Sequence, residues 1–143
     1  MPYSALAPVS EALYGVLIAD ATLVALLAGG IHNDAPNDPT FPFCWLEVQE
    51  RDARGFGLGG LPEVELRTHV FTERGQTLSG VAEAHEVNRQ IVGLLKDVAL
   101  TVTGYAMCGH VFARETVTLG DEELNGVKVH EVVSIFTIFV EQS

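Results

Sequence analysis

Three glycines, Gly55, Gly57 and Gly60, stand in the spacing G-x-G-x-x-G within the stretch ERDARGFGLGGLP at positions 50–62. That spacing wraps a dinucleotide pyrophosphate when the glycines lead directly into a helix, whose N-terminal amides and dipole hold the anion. After Gly60 the chain reads LPEVELRTHVF. Pro62 removes an amide, Glu63 and Glu65 would repel phosphate, and the apolar residues recur with period two. Strand, loop, strand is the wrong context for a nucleotide motif. Glycines at this density instead widen the conformations open to a hairpin tip. Such a tip either orders on contact with a partner or is merely floppy, and the residues leave both readings open.

The remaining chemistry-bearing side chains are dispersed. Five histidines occur, at positions 32, 69, 85, 110 and 130; His69 and His130 fall beside acidic residues on strand-like runs. Cys108 and His110 offer two metal ligands, but no CxxC, HxxxH or second cluster completes a site. Cys44 and Cys108 sit among apolar neighbours, which reads as two buried free thiols rather than a disulfide or an activated nucleophile. Ser10, Ser79 and Ser134 lack the glycine-flanked elbow that presents a nucleophilic serine. No catalytic residues, no metal and no cofactor are therefore assigned.

Composition bounds the partners. The chain has 143 residues, 48% hydrophobic and 19% charged, which suits one globular domain spanning 1–143. Its formal charge is −11, with eight basic residues scattered rather than clustered. Phosphate neutralisation supplies most nucleic-acid affinity, so tight DNA or RNA binding is not expected. The acidic surface serves either solubility or repulsion of a polyanion sliding past it. The N-terminus has no basic segment ahead of an apolar run, and Leu23 to Ala28 falls far short of a span, so a soluble protein made in a cytoplasm is expected.

The elements that must position these side chains are legible from periodicity. Val9, Leu13, Val16 and Leu17 recur at helical spacing; Asp20 then looks like the N-cap of a short second helix with Leu23, Leu26 and Leu27 inward, ended by Gly29-Gly30. The stretch IHNDAPNDPTFPF reads as an extended surface loop. Cys44, Leu46 and Val48 share one face of a first long strand. In the next, Val64, Leu66, Thr68 and Val70 oppose Glu63, Glu65, Arg67 and His69, which predicts a half-buried strand and a long hairpin. Thr77 or Ser79 caps a helix to about Asp97 with Val81, Ala84, Asn88, Ile91 and Leu95 inward, and the Asn88 amide is expected to find a structural hydrogen bond on a neighbouring strand. VALTV reads as a short strand. GHVFARETVTL and VKVHEVVSIFTIFVE come next as long strands around an acidic loop, GDEELNG, whose Asn125-Gly126 suits a tight turn. The last strand is apolar on both faces, Val133, Ile135 and Phe139 against Val132, Phe136 and Ile138, so it is either central or covered by another subunit. The fold class expected is α+β: an antiparallel sheet of about four strands, in two long hairpins, packed against two to three helices.

This order of elements resembles the tail-terminator, or tail-completion, proteins of long-tailed phages and prophages. The likeness is carried by Ala12 to Leu17 and Asp20 to Leu27 as the opening helix pair, by Ala35-Pro36 and Phe41-Pro42-Phe43, by THVFTERGQTLSGVAEAHEVNRQIVGLL with Phe71 where tryptophan is commoner, and more loosely by Thr118 to Val140. The resemblance implies a subunit, without enzymatic activity or cofactor, that forms a ring, usually a hexamer. The ring caps the tail-tube protein, stops tube growth and presents a surface to the head-closure or connector protein, while DNA passes through the lumen without specific binding. It implies a place at the head-proximal end of the virion tail, with assembly in the bacterial cytoplasm and no membrane partner. On that footing Val133, Ile135 and Phe139 are candidates for the subunit interface. Arg54, Gly55, Phe56, Gly57, Leu58 and Gly59 are candidates for a tube-contacting tip, and Glu63, Glu65, Asp121, Glu122 and Glu123 for an acidic lumen. Two other readings are another neck component and a small α+β enzyme or ligand-binding domain.

Overall fold

The computed structural model describes residues 6–38, 40–52, 62–73, 79–96, 98, 100–107, 111–124 and 126–142. Three helices are formed: α1 (Leu6–Ile18), α2 (Ala21–Leu26) and α3 (Ser79–Leu95). Six strands accompany them: β1 (Ile31–His32), β2 (Phe43–Asp52), β3 (Pro62–Glu73), β4 (Tyr105–Met107), β5 (Phe112–Leu124) and β6 (Val127–Gln142). The sheet runs β1-β2-β3-β6-β4, with β5 also paired to β6. The four long strands are antiparallel to their neighbours, as two hairpins require, while β1 joins β2 in parallel.

Each helix forms for a local reason and is held by the stripe it buries. In α1 Val9, Leu13 and Leu17 are fully buried, four residues apart on one face. Asp20 caps α2 by accepting a hydrogen bond from the Leu23 amide at 2.8 Å. In α3 the buried face is Ala84, Val87, Asn88, Ile91 and Leu95; Val87 is an addition to the expected stripe, and the Val81 side chain lies outside the described residues. Thr77, the other candidate cap, also lies outside them. These stripes pack against the inner sheet face, built from Cys44, Leu46, Val64, Leu66, Val70, Val132, Phe136, Ile138 and Val140. No helix among the described residues is long and apolar enough to cross a membrane.

Asn88 sits inside that core at 6% exposure. Its amide oxygen accepts a hydrogen bond from the Ser134 hydroxyl at 2.5 Å. With that proton committed, Ser134 accepts in turn from Thr116 at 2.9 Å. The amide is thus a structural link from α3 to β6 and β5, as its stripe position required.

Four expectations are corrected. The Asn/Pro stretch is a loop only after its first two residues: Ile31 and His32 pair with Cys44 and Trp45, and no regular element follows among the described residues before Phe43. The pairing is zipped by Gly29 N–H to the Pro42 carbonyl at 2.8 Å and Cys44 N–H to the Gly30 carbonyl at 3.0 Å, and the Phe41–Pro42 peptide is cis. Among the described residues of VALTV there is no strand, Val102 making an isolated bridge, and the short strand lies later, at Tyr105–Met107. The acidic GDEEL run is strand rather than loop, because β5 continues through Leu124 past a register shift between Leu119 and Glu122. The chain then reverses into β6 just before Val127, and Gly126 there has φ +81°. Finally, the outward face of β3 is not a wet face, since Glu65 and Phe71 are only 3% and 8% exposed.

Candidate functional site

The glycine-rich segment is flanked by strands on both sides. β2 and β3 stay in register down to Asp52 opposite Pro62, so residues 53–61 connect a hairpin and lead into no helix that could receive a phosphate. The tip candidates, Arg54 through Gly59, lie outside the described residues.

The two acidic groups are far apart. Glu63 pairs across the sheet with Phe139 of β6, whereas Glu123 and Glu122 pair with Lys128 and Val129. From Val129 to Phe139 a strand advances about 33 Å, so the groups occupy opposite ends of the sheet. Glu123 is exposed and Glu63 partly so. Asp121 and Glu122 lie on the last turn-side stretch of β5. Glu65 departs from its expected role: it is buried, and its carboxylate accepts from the Arg67 guanidinium at 3.1 Å, so its charge is spent inside the protomer.

The interface candidates divide in the same way. β6 is the central long strand, between β3 and β5, which accounts for its apolar character on the core side. Val133 is 8% exposed within a single chain, while Ile135 and Phe139 on the same outer face remain half-buried.

A constellation that sequence reasoning missed occupies this outer face. His69 of β3 lies between two carboxylates: Nδ1 is 2.7 Å from Glu131 Oε2 on β6, and Nε2 is 3.1 Å from Glu47 Oε1 on β2. Its ring stacks on Trp45 at 4.5 Å, and Phe43 stacks on Phe71 at 4.9 Å beside it. The signal was partial: acidic neighbours of His69 were visible, but Glu47 and Glu131 are 22 and 62 residues away in sequence. With both ring nitrogens facing carboxylate oxygens, only the imidazolium donates to both, and neither nitrogen offers a lone pair to a metal. Among the described residues no cluster of three metal-ligating side chains could hold an ion.

Burial of the ring is the largest influence on its pKa and pushes it down, but the hydrogen bonds and charges of Glu131 and Glu47 together outweigh this and raise it above the ordinary 6.5. A raised folded-state pKa contributes stability that is complete below the unfolded value and is lost as pH rises through the folded value. The stability of the protein is therefore expected to fall between pH 6.5 and the higher folded-state value of His69. His69→Gln is expected to flatten that slope in urea melts at a series of pH values; an unchanged slope would refute the assignment. Cys44, by contrast, is chemically quiet. Complete burial pushes its thiol up to about 12, far from the thiolate that reacts or binds metal.

Fold and polar network together define a two-layer α+β domain, with helices on one face of a mainly antiparallel sheet and polar groups tying strands together. Residues 11–141 match the family model described as tail completion protein gp17. The chain belongs to that family and is a structural protein of phage tails. It is also similar to a chain from the virion of a native gene transfer agent (GTA) particle, at 19% identity and a TM-score of 0.75, covering 98% of this chain and 99% of that one. At that identity the similarity is one of fold. No curated protein matches the chain.

Proposed function

We propose that the protein is a tail terminator: one domain, spanning 1–143, that assembles as a homo-hexameric ring on the last ring of tail-tube protein, stops its elongation and offers its other side to the head-closure or connector protein. The observation that carries this reading is the tail-completion family match across residues 11–141. The protein then sits at the head-proximal end of the virion tail, after assembly in the bacterial cytoplasm, and DNA passes through the ring without specific binding. A charge of −11 supports such a passage, since an acidic wall repels a polyanion. The half-buried Ile135 and Phe139 supply outer-face contact area, and the 54–59 tip reaches the tube.

Family membership favours this structural role over a small enzyme or ligand-binding domain. A second reading within the same class, another neck component, differs in what its loss does. Electron microscopy of tails assembled without the protein is expected to show tubes of uncontrolled length. Tails of normal length that fail only to join heads would assign it to the neck instead.

A further inference from the structure

The sheet has two unlike edges. Among the described residues β5 pairs only with β6, and its segment 113–118 is exposed throughout, with Val117 at 40%. Register shifts interrupt β5 between Ala113 and Glu115 and between Leu119 and Glu122. Between them Glu115–Leu119 runs unbroken, carries no proline, and has Glu115 as its one charged residue. At the opposite side β1 covers β2 only at Cys44 and Trp45, so Leu46–Asp52 forms a second edge without a described strand beside it.

We infer that these two edges join between neighbouring copies of this chain, β5 of one protomer adding to β2 of the next; the inference rests on the ring reading. Direction, face and length each bear on it. The strands β2, β3, β6 and β5 alternate in direction. A copy placed edge to edge in the same orientation therefore brings β2 antiparallel to β5, the stronger pairing geometry. Joining two different edges is a heterologous contact, the kind that closes into rings.

Face and length also fix the register. Glu115, Val117 and Leu119 lie opposite Ile135, Val133 and Glu131 on the outer face, and Trp45, Glu47, Gln49 and Arg51 reach that same face through His69, Arg67, Glu65 and Glu63. A continuous sheet must keep outer residues opposite outer residues. Leu119 opposite Trp45 would collide with β1, and Leu119 opposite Gln49 would push Glu115 past the end of β2 at Asp52. Leu119 opposite Glu47 is the register left, with Val117 against Gln49 and Glu115 against Arg51. The last of these sets opposite formal charges at one cross-strand position, which favours the pairing.

The test uses the full chain carrying Gln49→Cys and Val117→Cys together, assembled on tails and oxidised with oxidised glutathione. A ladder of covalent multimers is expected on a non-reducing gel, absent from each single variant and from Gln49→Cys combined with Thr116→Cys, whose cysteines fall on opposite faces. The unaltered chain measures any background from Cys44 and Cys108. Rings visible by electron microscopy without a ladder would overturn the edge pairing and leave the ring reading standing. The absence of rings from the unaltered chain on tails would overturn the ring reading itself.

Discussion

Gly29→Ala is expected to destabilise the protein by at least about 3 kcal/mol, because the added carbon has nowhere to go. A Cβ built on Gly29 would stand 1.6 Å from the backbone oxygen of Thr40 and 2.9 Å from the Cβ of Phe43. The nearest obstacle is main chain, which a rotamer change cannot move. Relief requires the 40–43 segment to withdraw, and that breaks the Gly29 N–H bond to Pro42 and the pairing of Ile31 with Cys44. Phe43, itself 1% exposed and stacked on Phe71, would be dragged with it. For a chain of this size such a loss lowers the melting temperature by about 10 °C. Thermal unfolding followed by circular dichroism reads it directly, and a midpoint within about 2 °C of the unaltered protein would show that the close approach is not needed.

Phe136→Ala is the second large effect, expected at about 3–5 kcal/mol. Phe136 is fully buried on the core side of β6 and lies opposite Leu66 of β3 and Ala113 of β5. It belongs to the same cluster as Ile91 and Leu95 of α3 and Leu13 and Leu17 of α1. Truncation empties the space between both layers at the central strand, where neighbours are held by strand pairing and cannot collapse inward. Set against a typical domain stability of about 5–15 kcal/mol, the loss is a large part of the total. Phe136→Leu keeps most of the volume and is expected to cost well under half as much. Equal losses in chemical denaturation for the two variants would mean that the ring, rather than its volume, is what the site requires.

His69 shows how an outer sheet face can be held by electrostatics when the inner face is held by apolar burial. The imidazolium ties β2, β3 and β6 together through two carboxylates, at a row where Trp45 shields it. The same row leads through Val133 to Val117 at the sheet edge. That row thus runs without a break to the edge proposed to join a neighbouring copy.

Much of this molecule is legible in its amino-acid order. Helical spacing at Val9, Leu13 and Leu17 and the cap at Asp20 are local properties, set by a 3.6-residue period and one side chain reaching its own third amide. Alternation along β2 and β3 announces a hairpin, and a proline with two glutamates after the glycines is enough to reject a phosphate loop. Asn88 on an apolar stripe demands a partner, although not a named one. The two-faced apolar β6 states that it is covered on both sides without saying by what.

What the tertiary structure decided are relations between distant segments. Ile31–His32 became a strand because Phe43–Trp45 lies beside it, and two residues among Asn, Asp and Pro carry no pattern that could reveal this. Glu65 lost its place as a surface charge because Arg67 turned back to it in a buried row, which alternation alone reads as solvent. Glu47, His69 and Glu131 meet only after three strands align, and the separation of the acidic groups to opposite ends of the sheet comes from that same alignment. Periodicity records which way a side chain points along its own backbone. Only the packed sheet records what stands opposite it, and both the tie at His69 and the edges where copies would join depend on that.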